Sequence, residues 1–366
     1  RRLAGVSATR FDGWARFPAR LVLAVLAAFL ILAALIPVTH VGGAVGPAAI
    51  PAGTETAAAA PRPRDHDLAL YDRTIERLRA GESYYAFIAE EQRRARFPLR
   101  PALAVLLLTL AVLLAWLGET GTLIAAFALL AAVPAAWWVR LGDDPVGRAR
   151  RALAIALLAS GCALMTARYF HTLHELWAGM LLALSLGLHR PGRWAASLAV
   201  AALALAIREL ALPFVLLMAA MAFWRGDRRE GAAWALLALV FAVALAVHVS
   251  AINAMVRPGD GHSASWLALR GLTGWTSDLV LSSNLRFLPH WLAGPLAMLA
   301  VFGWTGWRSA AGAFGALLQL GYGLLFMLAG RPDNYYWGFM VTPALFMGLA
   351  FAPMALRGLW QAARLR

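Results

Sequence analysis

Apolar residues occupy this chain in long blocks separated by short polar connections, and the blocks set the expected elements. The first runs from Leu21 to Val38. After Pro101 the candidate spans are 102–117, 121–139, 152–169, 173–188, 195–207 continuing into 210–224, 233–252, 288–304, 312–329 and 339–356, which makes ten or eleven in all. A helix needs about 20 apolar residues to cross the hydrocarbon of a bilayer. The patterning therefore predicts an all-α polytopic membrane protein forming one integral-membrane domain over residues 1–366, with 1–40 as N-terminal segment and first span, 41–101 as the first loop and 102–366 as the remaining helices.

One stretch breaks the pattern. Asp65 to Pro101, DHDLALYDRTIERLRAGESYYAFIAEEQRRARFPLRP, is a long polar insertion. Leu68, Tyr71, Ile75 and Leu78 recur at helical spacing; Asp65 or Asp67 is placed to cap that helix and Gly81 to end it. Ser83 opens a second helix with Tyr84, Tyr85, Phe87 and Ile88 along one side. Glu90, Glu91, Arg93 and Arg94 lie along the other, with Glu90 and Arg94 at the favourable spacing of four, and Pro98 stops it. Two short amphipathic helices beside a bilayer are expected to lie at the interface, apolar face down and carboxylates toward water or a cavity. The preceding linker, GGAVGPAAIPAGTETAAAAPRPR, has too little hydrophobic content to fold and enough proline to be partly extended.

Charge then orients the spans. Arg1, Arg2, Arg10, Arg16 and Arg20 precede the first apolar run, which predicts a cytoplasmic N-terminus and an outer first loop. The connections Arg148–Arg151, Arg190–Arg193, Arg225–Arg229, Arg308 and Arg357–Arg366 read as cytoplasmic. They alternate with Arg168–Glu175, Arg208/Glu209, Met255–Pro289 and Gly330–Gly338, which read as outer. Trp137, Trp138, Trp224, Trp304, Trp307 and Trp360 stand near the first set and Tyr335, Tyr336 and Trp337 near the second, as aromatic belts. Two full crossings between Pro101 and Arg140 would put Arg148–Arg151 outside, against this alternation. Either 102–117 does not cross, or 121–139 breaks at Pro134.

Composition narrows the classes. The chain of 366 residues is 61% hydrophobic and 14% charged, with a formal net charge of +14 carried entirely by arginine. A soluble protein with that balance would suggest nucleic acid, but these arginines sit in short loops between apolar spans, so no nucleic-acid partner is expected. Cys162, the one cysteine, lies in an apolar span and excludes an internal disulfide and a cysteine-based metal site. A cleaved signal peptide is the alternative reading of Leu21–Val38, disfavoured by its length and the many spans that follow. The localisation expected is the bacterial inner (plasma) membrane. No inverted repeat, nucleotide loop or zinc-type histidine pair is present.

With that topology the outer face collects the candidate chemistry: Asp65, His66, Asp67 and Asp72 from the loop; His174 and Glu175; Arg208 and Glu209; then Arg257 and Arg331. Ionisable residues at membrane depth mark function, or for Arg208 and Glu209 an internal ion pair stapling two helices near Pro213. Asp67 reads equally as an N-cap, and His174/Glu175 as an interfacial helix start favoured by the dipole. Asp65-His66-Asp67 is also a set of oxygen and imidazole donors for a divalent cation.

These residues resemble a known group. A cytoplasmic start, one span, an acidic outer loop leading into interfacial helices and many further spans resemble the GT-C superfamily of integral-membrane glycosyltransferases. DLALYDRTIERLRAGESYY with FPLRP, then HELWAGMLLALSL and AIRELALPF, is similar to its bacterial mannosyltransferase-like members. The resemblance implies a polyprenyl-phosphate sugar donor taken from the membrane lipid, a sugar such as mannose, and a loop acid acting as general base or metal holder. By motif position that role falls to Asp67, with Asp65 second. The departing phosphate calls for cations, for which Arg208, Arg257 and Arg331 are the candidates. The long Ala/Pro linker, the Asp-His-Asp motif and the missing soluble C-terminal domain depart from the pattern. A transporter or flippase for a lipid-linked anion, or a non-catalytic membrane scaffold, are the alternatives.

Overall fold

In a computed structural model the described residues are 9–38, 64–144 and 146–364. The Ala/Pro linker before Arg64 and the first two arginines lie outside them. Fourteen α-helices follow one another: α1 (Arg16–Leu35), α2 (His66–Arg79), α3 (Tyr84–Arg94), α4 (Thr109–Gly142), α5 (Arg148–Cys162), α6 (His174–Leu188) and α7 (Ala195–Ile207). Then come α8 (Leu212–Trp224), α9 (Arg228–Asn253), α10 (Gly271–Leu281), α11 (His290–Gly306), α12 (Ala310–Leu328), α13 (Thr342–Leu345) and α14 (Ala352–Arg364). Short 3-10 turns join several of them, and no strand runs among the described residues.

Five helical stretches among the described residues are long and apolar enough to cross a membrane: Arg16–Leu35, Ala102–Gly142, Arg148–Thr166, Arg228–Asn253 and Ala310–Leu328. The pair Thr342–Ala350 and Ala352–Arg364, bent by 50°, would make a sixth. The fold is thus all-helical, with about five candidate spans among the described residues and further apolar helices that are shorter, as a helical membrane protein would have. Apolarity has two causes here. Helices α1 and α9 are apolar on faces open to lipid, whereas α6 is apolar because protein surrounds it, with every residue but Leu184 and Leu188 at least nine-tenths buried. At 15 residues α6 is about 22 Å long, short of the hydrocarbon thickness. Helices α7 and α8, 13 residues each, are two limbs of one run interrupted at Arg208.

The parity conflict between Pro101 and Arg151 resolves at Gly118. Its φ of 66° and ψ of −173° break α4 into a nine-residue first limb of about 13 Å and a second limb of about 36 Å. Only the second has the length to cross alone, and Pro134 sits inside it without ending it. One crossing restores the alternation of the arginines. The two sets of connections indeed gather at opposite ends. At one, Asp143 binds Arg190 at 2.6 Å, and buried Glu230 takes His189 at 2.8 Å and Arg225 at 3.0 Å. Arg10 bonds the Trp307 carbonyl there, and Arg20 that of Ala363. Arginines outnumber acids roughly three to one at that end and nearly balance them at the other, the loop end.

Helices α2 and α3 form at the loop end close to their expected bounds, with Asp65 and Ser83 at the N-cap positions and Gly81, φ 89°, turning the chain between them. Their apolar faces meet protein rather than lipid. Leu68 and Ile75 join the central core with Leu110 and Leu114 of α4, and Phe87 and Ile88 pack with Ile252 of α9. The charged side of α3 is also reordered, because Glu91 is buried between Arg73 and Arg77 at 3.1 Å each. Glu90 turns to Arg77 at 3.6 Å, so the expected pairing of Glu90 with Arg94 does not form. Arg93 grips Asp260 through two hydrogen bonds of 2.8 and 2.9 Å, and the Ser263 amide donates to the Arg100 carbonyl at 2.6 Å. Those bonds tie the long connection after α9 over the loop helices.

Close backbone approach sets the rest. A Cβ on Gly179 of α6 would stand 1.9 Å from the Phe339 carbonyl oxygen, so the segment 332–340 lies against α6 with no room for a side chain. Gly179→Val is expected to cost about 3 kcal/mol or more and to lower the melting temperature of the detergent-purified protein by several degrees. Gly321→Ala in α12, where a new methyl meets nothing within 4 Å, should leave it unchanged or slightly raised.

Candidate functional site

Successive residues of a helix point about 100° apart, and the start of α2 spreads its three candidate ligands accordingly. Asp65, at the N-cap, caps nothing and turns to Tyr169 and Arg64. His66 is exposed and stacks on Phe97 with ring centroids 4.7 Å apart. Asp67 is not an N-cap; it sits within the first turn and lines a cavity. The Asp-His-Asp donor set therefore does not converge on a cation, and no group of three His, Cys, Asp or Glu side chains does so among the described residues. Asp72 belongs elsewhere. It forms a two-pronged pair with Arg64, at 2.7 and 3.1 Å, on the other flank of α2, facing a separate cavity with Glu119 and Arg168.

The Asp67 cavity, of about 260 Å³, lies at the loop end between α2, the segment 97–106, the α7–α8 break, the connection 263–266 and the segment 331–337. Asp67, Arg208, Glu209, Arg331 and Asp333 contribute charge; Gln92 and Asn334 contribute amides; Tyr71, Tyr336, Trp266 and Trp337 form aromatic walls. The Asp67 carboxylate has no hydrogen bond or ion pair among the described residues. Arg331 and Asn334 are held. Arg331 donates to Ser263 Oγ at 3.1 Å and contacts Asp333 at 3.2 Å, and the Asn334 amide donates to the Tyr336 hydroxyl at 3.0 Å.

Arg208 is the most constrained cation of the site. Its backbone is extended, φ −146° and ψ 121°, so the residue is not helical and its neighbour does not point away from it. Nη1 lies 2.8 Å from Glu209 Oε1 and Nε lies 2.7 Å from Glu175 Oε1, with Arg208 6% and Glu175 2% exposed. The internal ion pair is what forms, through a helix break that periodicity does not disclose. Arg257 stays out of the site altogether: it is exposed, does not line the cavity, and engages Asp260 through its backbone amide. His174 packs edge-on against Tyr71 at 5.3 Å and borders a small adjoining cavity instead.

Burial raises the Asp67 carboxyl above the ordinary aspartate range, and the charge of Asp333 raises it further. Asp65 is also raised by burial, with its Tyr169 hydrogen bond and Arg64 acting against the shift. Burial holds the Tyr71 and Tyr336 phenols far above their usual value, so both remain hydrogen-bond donors. The arrangement presents one proton acceptor, one anchored cation with solvent access and a wall of aromatic and amide groups. Gln92, Asn334, Tyr336 and Trp337 were legible only as a lone amide in a charged helix and an interfacial aromatic run. The signal was the polar PDN before YYWG, a composition that an aromatic belt alone does not need.

Removing Arg208 leaves a buried carboxylate without its cation, so Arg208→Ala should destabilise the protein by about 3–5 kcal/mol, read as a fall in melting temperature. Restoration of most of that loss by Arg208→Met combined with Glu175→Gln is expected; an Arg208→Ala protein as stable as the parent would remove the pair from its structural role. Compared with known proteins, the chain matches no family model, no curated protein and no solved structure.

Proposed function

We propose that the protein is a membrane glycosyltransferase that moves a sugar, mannose being the first candidate, from a polyprenyl-phosphate donor to an acceptor hydroxyl at the outer face of the membrane. The observation that carries this reading is Asp67: a carboxylate without a partner among the described residues, half-sheltered in a cavity that also holds Arg331 and five aromatic rings. A structural aspartate is normally paired when it is sheltered. Aromatic faces with amide and phenol donors suit a sugar ring, and the motif resemblance of the loop points the same way.

In the reaction, Asp67 accepts the proton of the acceptor hydroxyl while that oxygen bonds to the anomeric carbon. The bond from that carbon to the phosphate oxygen breaks, and the lipid phosphate leaves with the electron pair. A lone base opposite the leaving group gives inversion. Arg331 takes the phosphate role in this scheme, because Arg208 is already matched by two carboxylates and Arg257 is remote. Asp65, committed to Tyr169, is not the base.

Asp67→Asn should lower transfer of labelled mannose from polyprenyl phosphomannose in membranes by about 10²–10⁴-fold with an unchanged melting temperature, since the side chain caps nothing. Near-parental turnover would sink the assignment. The base works deprotonated, so activity falls as pH drops through its raised pKa. Asp333→Asn removes a charge that raises that pKa and should shift the acid limb of the rate profile to lower pH.

Orientation is tested separately. In a Cys162→Ala background, a cysteine at Glu82 should react with an impermeant reagent added to intact cells and one at Gly226 should not. The reverse pattern inverts the topology.

A further inference from the structure

The break at Gly118 does more than settle the crossing. Between the two limbs of α4 it opens a groove of about 410 Å³, lined almost entirely by apolar atoms: Leu110 and Leu117 from the first limb, Ala125 and Ala132 from the second, with Trp177 of α6 and Leu203 of α7 opposite. The groove faces outward, where Leu203 is 41% exposed. Ala125 and Ala132 lie about 10–20 Å along the second limb from its loop end, which is hydrocarbon depth in the leaflet on that side. The groove adjoins the site by way of the small cavity beside His174, which shares Leu110 and Leu114 with the groove and Tyr71 and Leu106 with the Asp67 cavity. Ile207 lines the groove and the next residue, Arg208, lines the Asp67 cavity; likewise Leu110 lines the groove and Leu106 the cavity.

Charge at this junction decides the occupant. One guanidinium there faces two carboxylates, Glu175 and Glu209, so a lipid with a phosphate head would meet net negative charge. The available cation, Arg331, stands on another wall beside Ser263. We propose that the groove holds the hydrocarbon chain of a lipid-anchored acceptor with an uncharged, hydroxyl-bearing head, which it delivers to Asp67, so that donor and acceptor are both membrane lipids entering from different sides. The inference rests on the transfer reading for its chemistry, but chain binding in the groove does not depend on transfer.

Two acceptors with the same head separate the possibilities: hexadecyl mannoside, bearing a photoactivatable diazirine in its chain, and methyl mannoside. With polyprenyl phosphomannose as donor, the hexadecyl acceptor should show a KM at least about ten-fold below that of the methyl acceptor. Ala128→Trp, at the open side of the groove, should abolish that advantage while leaving methyl mannoside turnover and the donor KM unchanged. Photolysis should label the peptide 110–132, and the tryptophan variant should lose the label. Equal use of both acceptors, or a rise in donor KM in Ala128→Trp, overturns the proposal, the latter assigning the groove to the donor chain. Labelling in the groove without transfer to either acceptor keeps the chain site and overturns the transfer reading. Absence of labelling with transfer intact overturns the chain site alone.

Discussion

A guanidinium buried at a broken helix is the interaction on which the loop end depends. Arg208 interrupts what would otherwise be a continuous apolar rod, and the interruption is tolerable only because Glu175 and Glu209 both reach its charge. An unpaired ion at this burial would cost several kcal/mol, more than a typical fraction of a domain's net stability. The pairing fixes the end of α7 against the start of α6, and that junction forms one wall of the Asp67 cavity. The same commitment removes Arg208 from ligand chemistry, leaving the more exposed Arg331 as the cation with capacity to spare. Under the proposed reading, stability and phosphate recognition are thus divided between two arginines that look equivalent in the sequence.

Much of the fold was legible. Helix α2 and the start of α3 fell within a residue or two of their expected bounds because Gly81 turns the chain locally, whereas α3 ends at Arg94, short of Pro98, where Arg96 leaves the helical basin with φ 55°. The grouping of arginine connections into two ends also held, since it depends only on which short loops share a side of the bundle. Run-length alone did not separate the five candidate spans from the shorter apolar helices. Hydropathy reports dislike of water, and a helix walled in by protein, such as α6, dislikes it as much as one walled in by lipid. Length along the axis separates the cases, and length is lost wherever a single residue such as Gly118 or Arg208 leaves the helical basin.

The site divided in the same manner. Asp67 facing a cavity that also contains arginine agrees with the motif position alone. Its neighbour Asp65 diverged because a residue outside the helix answers to local partners, here Tyr169, rather than to the helical wheel. Glu91, placed with the carboxylates facing water or a cavity, is buried because two arginines of α2 arrive from across the helical hairpin, a tertiary fact that no spacing rule encodes. Arg257 drew attention through its charge while the chain used its backbone. The aromatic and amide wall came from a segment, 332–340, whose approach to α6 rests on the absence of a side chain at Gly179.

Chain order gives the Arg208 clamp a temporal side. The acid is made first: Glu175 opens α6, and Arg208 follows only after α6 and α7 have been synthesised. At ribosomal elongation rates that is a delay of a few seconds during which a carboxylate destined for burial has no cation. Helices of 15 and 13 residues are also too short to be inserted stably one at a time. The ion pair that stabilises the finished protein is thus one that the nascent chain completes only after α7 has been made.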